Sequence, residues 1–179
     1  INQTHYGEGK GYYGHLDVLY RCSYLPKEVV DKARNRAKEK LYSIKIPPDR
    51  GKVNIPPPSE EEIHVYTDGS KLDGLAGLGV HIVNKQDIHK HLGKYASVFQ
   101  GEVLAIKEAA EALKGTTGKT ITFRSDSQAA IQALDNDVFS NITTWNCHQA
   151  LNELGRANSI SIQWVKAHVG TAGNERADQ

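Results

Sequence analysis

The 179-residue chain predicts a mixed α/β domain in the order βββαβαβα: a five-stranded sheet with three antiparallel meander strands and two parallel ones, flanked by helices. Three observations carry this. Between Ile63 and Leu92, short alternating segments are separated only by turn residues, which leaves no room for a crossover helix. Phe99 to Lys114 then shows helical periodicity closed by Gly115. From Thr120 onward, strand-like and helix-like segments alternate, as parallel strands require.

In the first strand Ile63, Val65 and Thr67 alternate with His64, Tyr66 and Asp68, and Gly69-Ser70 reads as the turn that follows. Strands two and three are Leu78 to Val83 and Ile88 to Leu92, joined through Asn84-Lys85-Gln86-Asp87. The long helix places Phe99, Val103, Ile106, Ala110 and Leu113 on one face, and Gly115 stops it. Thr120 to Arg124 is a fourth strand ending at Ser125-Asp126-Ser127, and a helix with Ala130, Ile131 and Leu134 follows. Asn141 to Arg156 is a further helix and Ile160 to Val165 the last strand. Gly173 to Gln179 opens a final helix that Gln179 interrupts.

Residues 1–58 differ in character. Pro47-Pro48 and Pro56-Pro57-Pro58 bracket a segment that cannot continue a helix, so the boundary of the predicted domain falls at 58/59. Before it, Val29, Val30, Ala33, Ala37 and Leu41 recur at helical spacing, predicting one basic helix that carries Lys32, Arg34, Arg36, Lys38 and Lys40. Charge divides the same way: residues 1–58 hold 11 Lys+Arg against 6 Asp+Glu, and residues 59–179 hold 11 against 15. The basic surface expected of a nucleic-acid enzyme thus lies in the appendage.

Composition excludes several classes. No apolar run approaches the roughly 20 residues of a membrane span, and 39% hydrophobic with 24% charged residues is ordinary for a globular chain. Cys22 and Cys147 lie far apart, which indicates neither a disulfide framework nor a zinc site. With no secretory leader, an intracellular setting, cytoplasmic or nuclear, is expected. The start at Ile1 and the absence of methionine read as a piece of a longer protein.

Asp68 and Asp126 stand at the C-terminal ends of the first and fourth strands, where open α/β sheets place ligands if those strands run parallel. Glu102 in the long helix and Asp178 in the last can project over the same edge. Two carboxylates about 4 Å apart repel by on the order of 4 kcal/mol at an effective dielectric near 20. Divalent cations offset such repulsion, and oxygen-only ligands point to Mg²⁺ or Mn²⁺. Taken singly, each acid is as well explained as a turn or cap residue.

At these residues the chain resembles the type 1 ribonuclease H family. The motifs fall in family order over Ile63 to Gln179: Tyr66-Thr67-Asp68-Gly69-Ser70, Phe99-Gln100-Gly101-Glu102-Val103, Arg124-Ser125-Asp126-Ser127-Gln128, Trp164-Val165-Lys166-Ala167-His168-Val169-Gly170 and Gly173-Asn174-Glu175-Arg176-Ala177-Asp178. The resemblance implies that Asp68, Glu102, Asp126 and Asp178 are catalytic and bind two Mg²⁺ ions, for which Mn²⁺ can substitute. It also implies that His168 shuttles protons or assists product release, and that Ser97, Gln128 and Asn174 touch substrate. The reaction implied is two-metal-ion hydrolysis of the RNA strand of an RNA–DNA hybrid, leaving 5′-phosphate and 3′-hydroxyl ends. Hybrid selectivity would come from 2′-hydroxyls read in a shallow minor groove.

The wording of Ser97-Val98-Phe99-Gln100-Gly101-Glu102 and the short route from Asp126 to Trp164 are most similar to the C-terminal ribonuclease H of jockey-like non-LTR retrotransposon polyproteins. Residues 1–58 would then end a reverse transcriptase region. That route leaves no space for an extra basic helix, so grip on the hybrid is expected from the basic segment at 27–40 or from the linked polymerase. Two other functions are weighed: an inactive fold serving as a hybrid-binding or structural module, which the intact acids oppose, and a transposase- or integrase-like nuclease, which the ending Gly173 to Asp178 fits poorly. Gly74-x-x-Gly77-x-Gly79 and Gly118-Lys119-Thr120 only mimic nucleotide loops, since the first precedes a strand and the second joins helix to strand.

Overall fold

The computed structural model describes residues 35–46, 61–166 and Ala177. Its elements are β1 (Asn35–Arg36), β2 (Ser43–Lys45), β3 (Glu62–Leu72), β4 (Leu75–Ile82), β5 (Gln86–Gly93), α1 (Val98–Ala112), β6 (Thr120–Ser125), α2 (Gln128–Asp135), β7 (Val138–Phe139), α3 (Ile142–Gly155) and β8 (Ser159–Trp164). The main sheet runs β2-β8-β6-β3-β4-β5. The β3–β4–β5 part is an antiparallel meander, and β6, β8 and β2 run parallel to β3.

The βββαβαβ order expected from sequence is present, with Ala177 helical where the final helix was placed. Core residues Val65, Val80, Ile106, Ile121, Phe123, Ile131, Leu151 and Ile162 are all buried beneath the helices. Among the described residues no helix is long and apolar enough to cross a membrane.

Three expectations are corrected. The sheet has six strands, the sixth being β2, from the segment assigned upstream of the domain boundary. The basic helix expected over 27–41 is absent from its described part: Asn35–Arg36 pairs antiparallel with Val138–Phe139, and the Ala37 N–H donates to the Asp137 carbonyl. Residues 27–34 of that helix lie outside the described residues. Tertiary partners outweigh helical propensity here, because the Leu41 N–H, which a helix would direct at Ala37, donates to Asn152 Oδ1 at 2.9 Å. Third, Gly69-Ser70 is not a turn. β3 continues to Leu72, and the chain reverses at Asp73-Gly74, both with positive φ.

The segment from Glu39 to Lys45 is clasped by α3. Tyr42 is buried and its hydroxyl donates to the Leu134 carbonyl at 3.0 Å. With that single proton committed, the 2.9 Å contact to His148 must be donated by Nδ1. His148 Nε2 then accepts from the Asn152 amide at 3.3 Å, and the same amide donates to the Glu39 carbonyl. Gly155 completes the fit, since a Cβ there would lie 2.4 Å from the Leu41 carbonyl oxygen.

Tyr42→Phe leaves the Leu134 carbonyl and His148 Nδ1 without their partner. It is expected to cost about 1–3 kcal/mol in a denaturant melt. Burial, reinforced by Lys40, lowers the His148 pKa, so the fold holds a neutral ring. As pH falls below the ordinary imidazole range the unfolded chain takes up the proton first, and stability contributed above that range is lost. His148→Gln is expected to flatten this acid limb of the stability–pH curve; an unchanged limb would exclude the clasp as its source.

Candidate active site

β3 and β6 pair in parallel up to Thr67↔Ser125, so Asp68, in the middle of β3 and not at its end as the sequence suggested, and Asp126, just past the end of β6, emerge side by side where the parallel pairing stops. This is the crevice position that parallel sheets offer to ligands. α1 brings the third acid. Ser97 caps α1 in a capping box: its hydroxyl accepts from the Gln100 N–H at 3.1 Å while Gln100 Oε1 accepts from the Ser97 N–H at 2.9 Å.

Two glycines let α1 lie directly on the sheet. A Cβ on Gly69 would stand 2.4 Å from the Glu102 nitrogen and 2.8 Å from the Gly101 carbonyl carbon. On Gly101 it would stand 2.7 Å from the Gly77 carbonyl oxygen. Close backbone approach of this kind excludes any side chain at these positions, and it sets Glu102 beside Asp68.

One carboxylate oxygen from each of Asp68, Glu102 and Asp126 lies within 4.8 Å of the others. At that separation each ionised pair repels by roughly 3 kcal/mol at an effective dielectric near 20. Glu102 is buried, and its Oε2 has no hydrogen-bond partner. Burial, then the charges of Asp68 and Asp126, push the Glu102 pKa up to about 8, with a backbone hydrogen bond from Gly69 opposing. An oxygen-only set of three acids with an unsatisfied buried carboxylate oxygen fits a divalent cation of the hard, water-retaining kind.

Of the other residues expected at the site, Gln128 is half-buried as the first residue of α2, two residues after Asp126 in the chain. Ser97 lies five residues before Glu102 with its hydroxyl engaged in the cap. Asp178, His168 and Asn174 lie outside the described residues. Ala177 lies against the sheet at β4: a Cβ on Gly79 would fall 1.6 Å from the Ala177 carbonyl oxygen. Gly79 is the β4 partner of Asp68. The glycines of β3, β4 and α1 are the contributors that motif reading missed, although Gly69 and Gly101 were in plain view within the motifs.

A cavity of about 660 Å³ lies elsewhere, between the C-terminal half of α1 and α3, lined by Lys107, Glu111, Lys114, Asn146 and Glu153 among others. The chemistry of the three acids, and not this cavity, locates the site.

Fold and acids together define an α/β enzyme of the class that gathers carboxylates around divalent cations. The chain belongs to the ribonuclease H family, whose model (RNase H) matches residues 60–179. It is 31% identical over 130 residues to ribonuclease HI of Helicobacter pylori, covering 66% of this chain and 89% of that protein. Ribonuclease H of Syntrophomonas wolfei is 30% identical over 136 residues, with 66% and 92% covered. Among solved structures, RNase H1 from the halophilic archaeon Halobacterium salinarum is 26% identical, covers 65% of this chain and 92% of its own, and superposes with a TM-score of 0.49.

Proposed function

We propose that this domain hydrolyses the RNA strand of RNA–DNA hybrids, with Asp68, Glu102, Asp126 and Asp178 holding two Mg²⁺ ions for which Mn²⁺ can substitute. The observation that supports it is the convergence of Asp68, Glu102 and Asp126 within 4.8 Å, where the parallel pairing of β3 and β6 stops, in a chain of this family. Bound cations would activate water and offset charge at the phosphate and the departing 3′ oxygen. The chain's own part is to aim the acids: β3 and β6 fix two of them, and the capped start of α1 against Gly69 fixes the third. His168 would move a proton or help clear product, while Gln128, Asn174 and Ser97 contact the hybrid backbone near the scissile phosphate.

In the parent protein, residues 1–58 would close a reverse transcriptase region of a retrotransposon polyprotein acting inside the cell. The family-like wording of Ser97 to Glu102 and the basic charge of that segment support this. Residues 59–179 would be the nuclease unit, with part of the preceding chain laid against it as β2.

A hybrid labelled on either strand, incubated with and without Mg²⁺ or Mn²⁺ beside duplex DNA and duplex RNA, tests the proposal. Cutting of the hybrid's RNA strand alone, only with metal, and reduced at least about 100-fold in Asp126→Asn, is expected; a metal ligand should matter no less than the partners that orient it. Cutting of duplex DNA in preference would refute it.

A further inference from the structure

Asp126 stands one residue beyond the end of β6, outside the ladder that holds Thr120–Ser125 between β3 and β8. The indole Nε1–H of Trp164 donates to the Asp126 carbonyl at 3.0 Å, across 38 positions of sequence. Trp164 is the β8 partner of Ser125, and its half-buried ring packs against the core. The following Val165 N–H donates to the Ser125 carbonyl at 3.0 Å. On the other side of Asp126, the Ser127 N–H donates to Ser125 Oγ at 3.1 Å, and the Ser127 hydroxyl caps α2 by accepting from the Ala130 N–H at 3.3 Å.

The peptide that follows Asp126 is thus held laterally by Trp164, just where the ladder hands over to the cap. The direction of a side chain follows from the φ and ψ of its own residue, so a carbonyl free to rotate would let the Asp126 Cβ swing. Indole has one donor and no acceptor, so it can serve only as the fixed donor in this contact.

We propose that Trp164 is a positioning residue for Asp126. Its indole holds the Asp126 backbone so that the carboxylate meets Asp68 and Glu102 in the geometry a divalent cation requires. This rests on the three acids being the metal centre.

The test deletes the N–H and keeps the ring. Trp164→Phe, and an isosteric benzothienyl-alanine placed at position 164 by site-specific incorporation in case the smaller ring unsettles the fold, are compared with the unaltered chain. Mn²⁺ affinity is measured by calorimetry without substrate, alongside kcat and KM on a hybrid and a thermal melt. One lost hydrogen bond predicts Mn²⁺ binding weakened about threefold to tenfold and kcat lowered by a like factor, with KM unchanged. Unchanged Mn²⁺ affinity and kcat in the isosteric variant, with at most a lower melting temperature, would overturn the proposal and leave Trp164 a core residue. Asp126→Asn separates the two levels. If it retains metal binding and cleavage, the metal-centre reading itself fails; if it loses both while the indole variants are normal, only the positioning role fails.

Discussion

Glu102→Gln is expected to make the metal-free protein more stable in alkaline solution while removing its activity. The folded-state pKa of Glu102 is raised to about 8, so the native state keeps a proton that the unfolded chain releases near the ordinary value of 4.5. Stability therefore falls as pH rises through that window, at up to 1.36 kcal/mol per unit for one proton, roughly 3–5 kcal/mol in all. Glutamine cannot ionise and escapes this loss. Denaturant melts in a chelator should show the variant close to the parent at pH 4.5 and more stable by a few kcal/mol at pH 8. Parallel curves for the two proteins would mean that Glu102 is not under strain from Asp68 and Asp126.

Gly69→Ala carries the second large effect. Its Cβ would press on the Glu102 nitrogen and the Gly101 carbonyl carbon, both backbone atoms, so α1 must shift as a body. Overpacking of this kind costs about 1–3 kcal/mol, and an ångström of misplacement at a reacting centre can cost about 100-fold in rate. Gly77→Ala is the matched control, since its Cβ meets the Lys90 carbonyl oxygen at an ordinary 3.4 Å. The first variant should lose hybrid cleavage and some stability, the second little of either. Equal activity in both would mean that the close approach of α1 and β3 does not position Glu102 for cleavage.

The meander, the two parallel strands and the helices were legible because their apolar residues repeat at period 2 or 3.6 and their turns carry Asn, Asp and Gly. The polar face of β3 was legible as alternation but not as burial: His64 and Tyr66 are as inaccessible as Ile63 and Val65, and covering by residues distant in sequence leaves no local mark. The segment at 35–41 was misread for a related reason. Its apolar spacing fits a helix, and partners about a hundred residues on, Val138–Phe139, Asn152 and Gly155, hold it in extended form instead. Gly69 was taken for a turn because glycine marks both a reversal and a close contact, and the sequence does not say which.

Of the candidate site, Asp68, Glu102 and Asp126 were readable because three motifs in family order carry them. What could not be read was the degree of crowding, since the unsatisfied Glu102 oxygen depends on how near α1 comes to β3. Trp164 stood within a recognised motif, yet its link to Asp126 exists only once β8 lies beside β6.

Calorimetric titration with Mn²⁺ at pH 7, repeated in buffers of different ionisation enthalpy, tests the metal centre most directly. Metal binding to a carboxylate that is still largely protonated must release its proton. Saturable binding with close to one proton released is expected, and loss of that release in Glu102→Gln. Saturable binding without proton release, or no binding in the unaltered protein, would contradict the claim that Asp68, Glu102 and Asp126 form a poised site for a divalent cation.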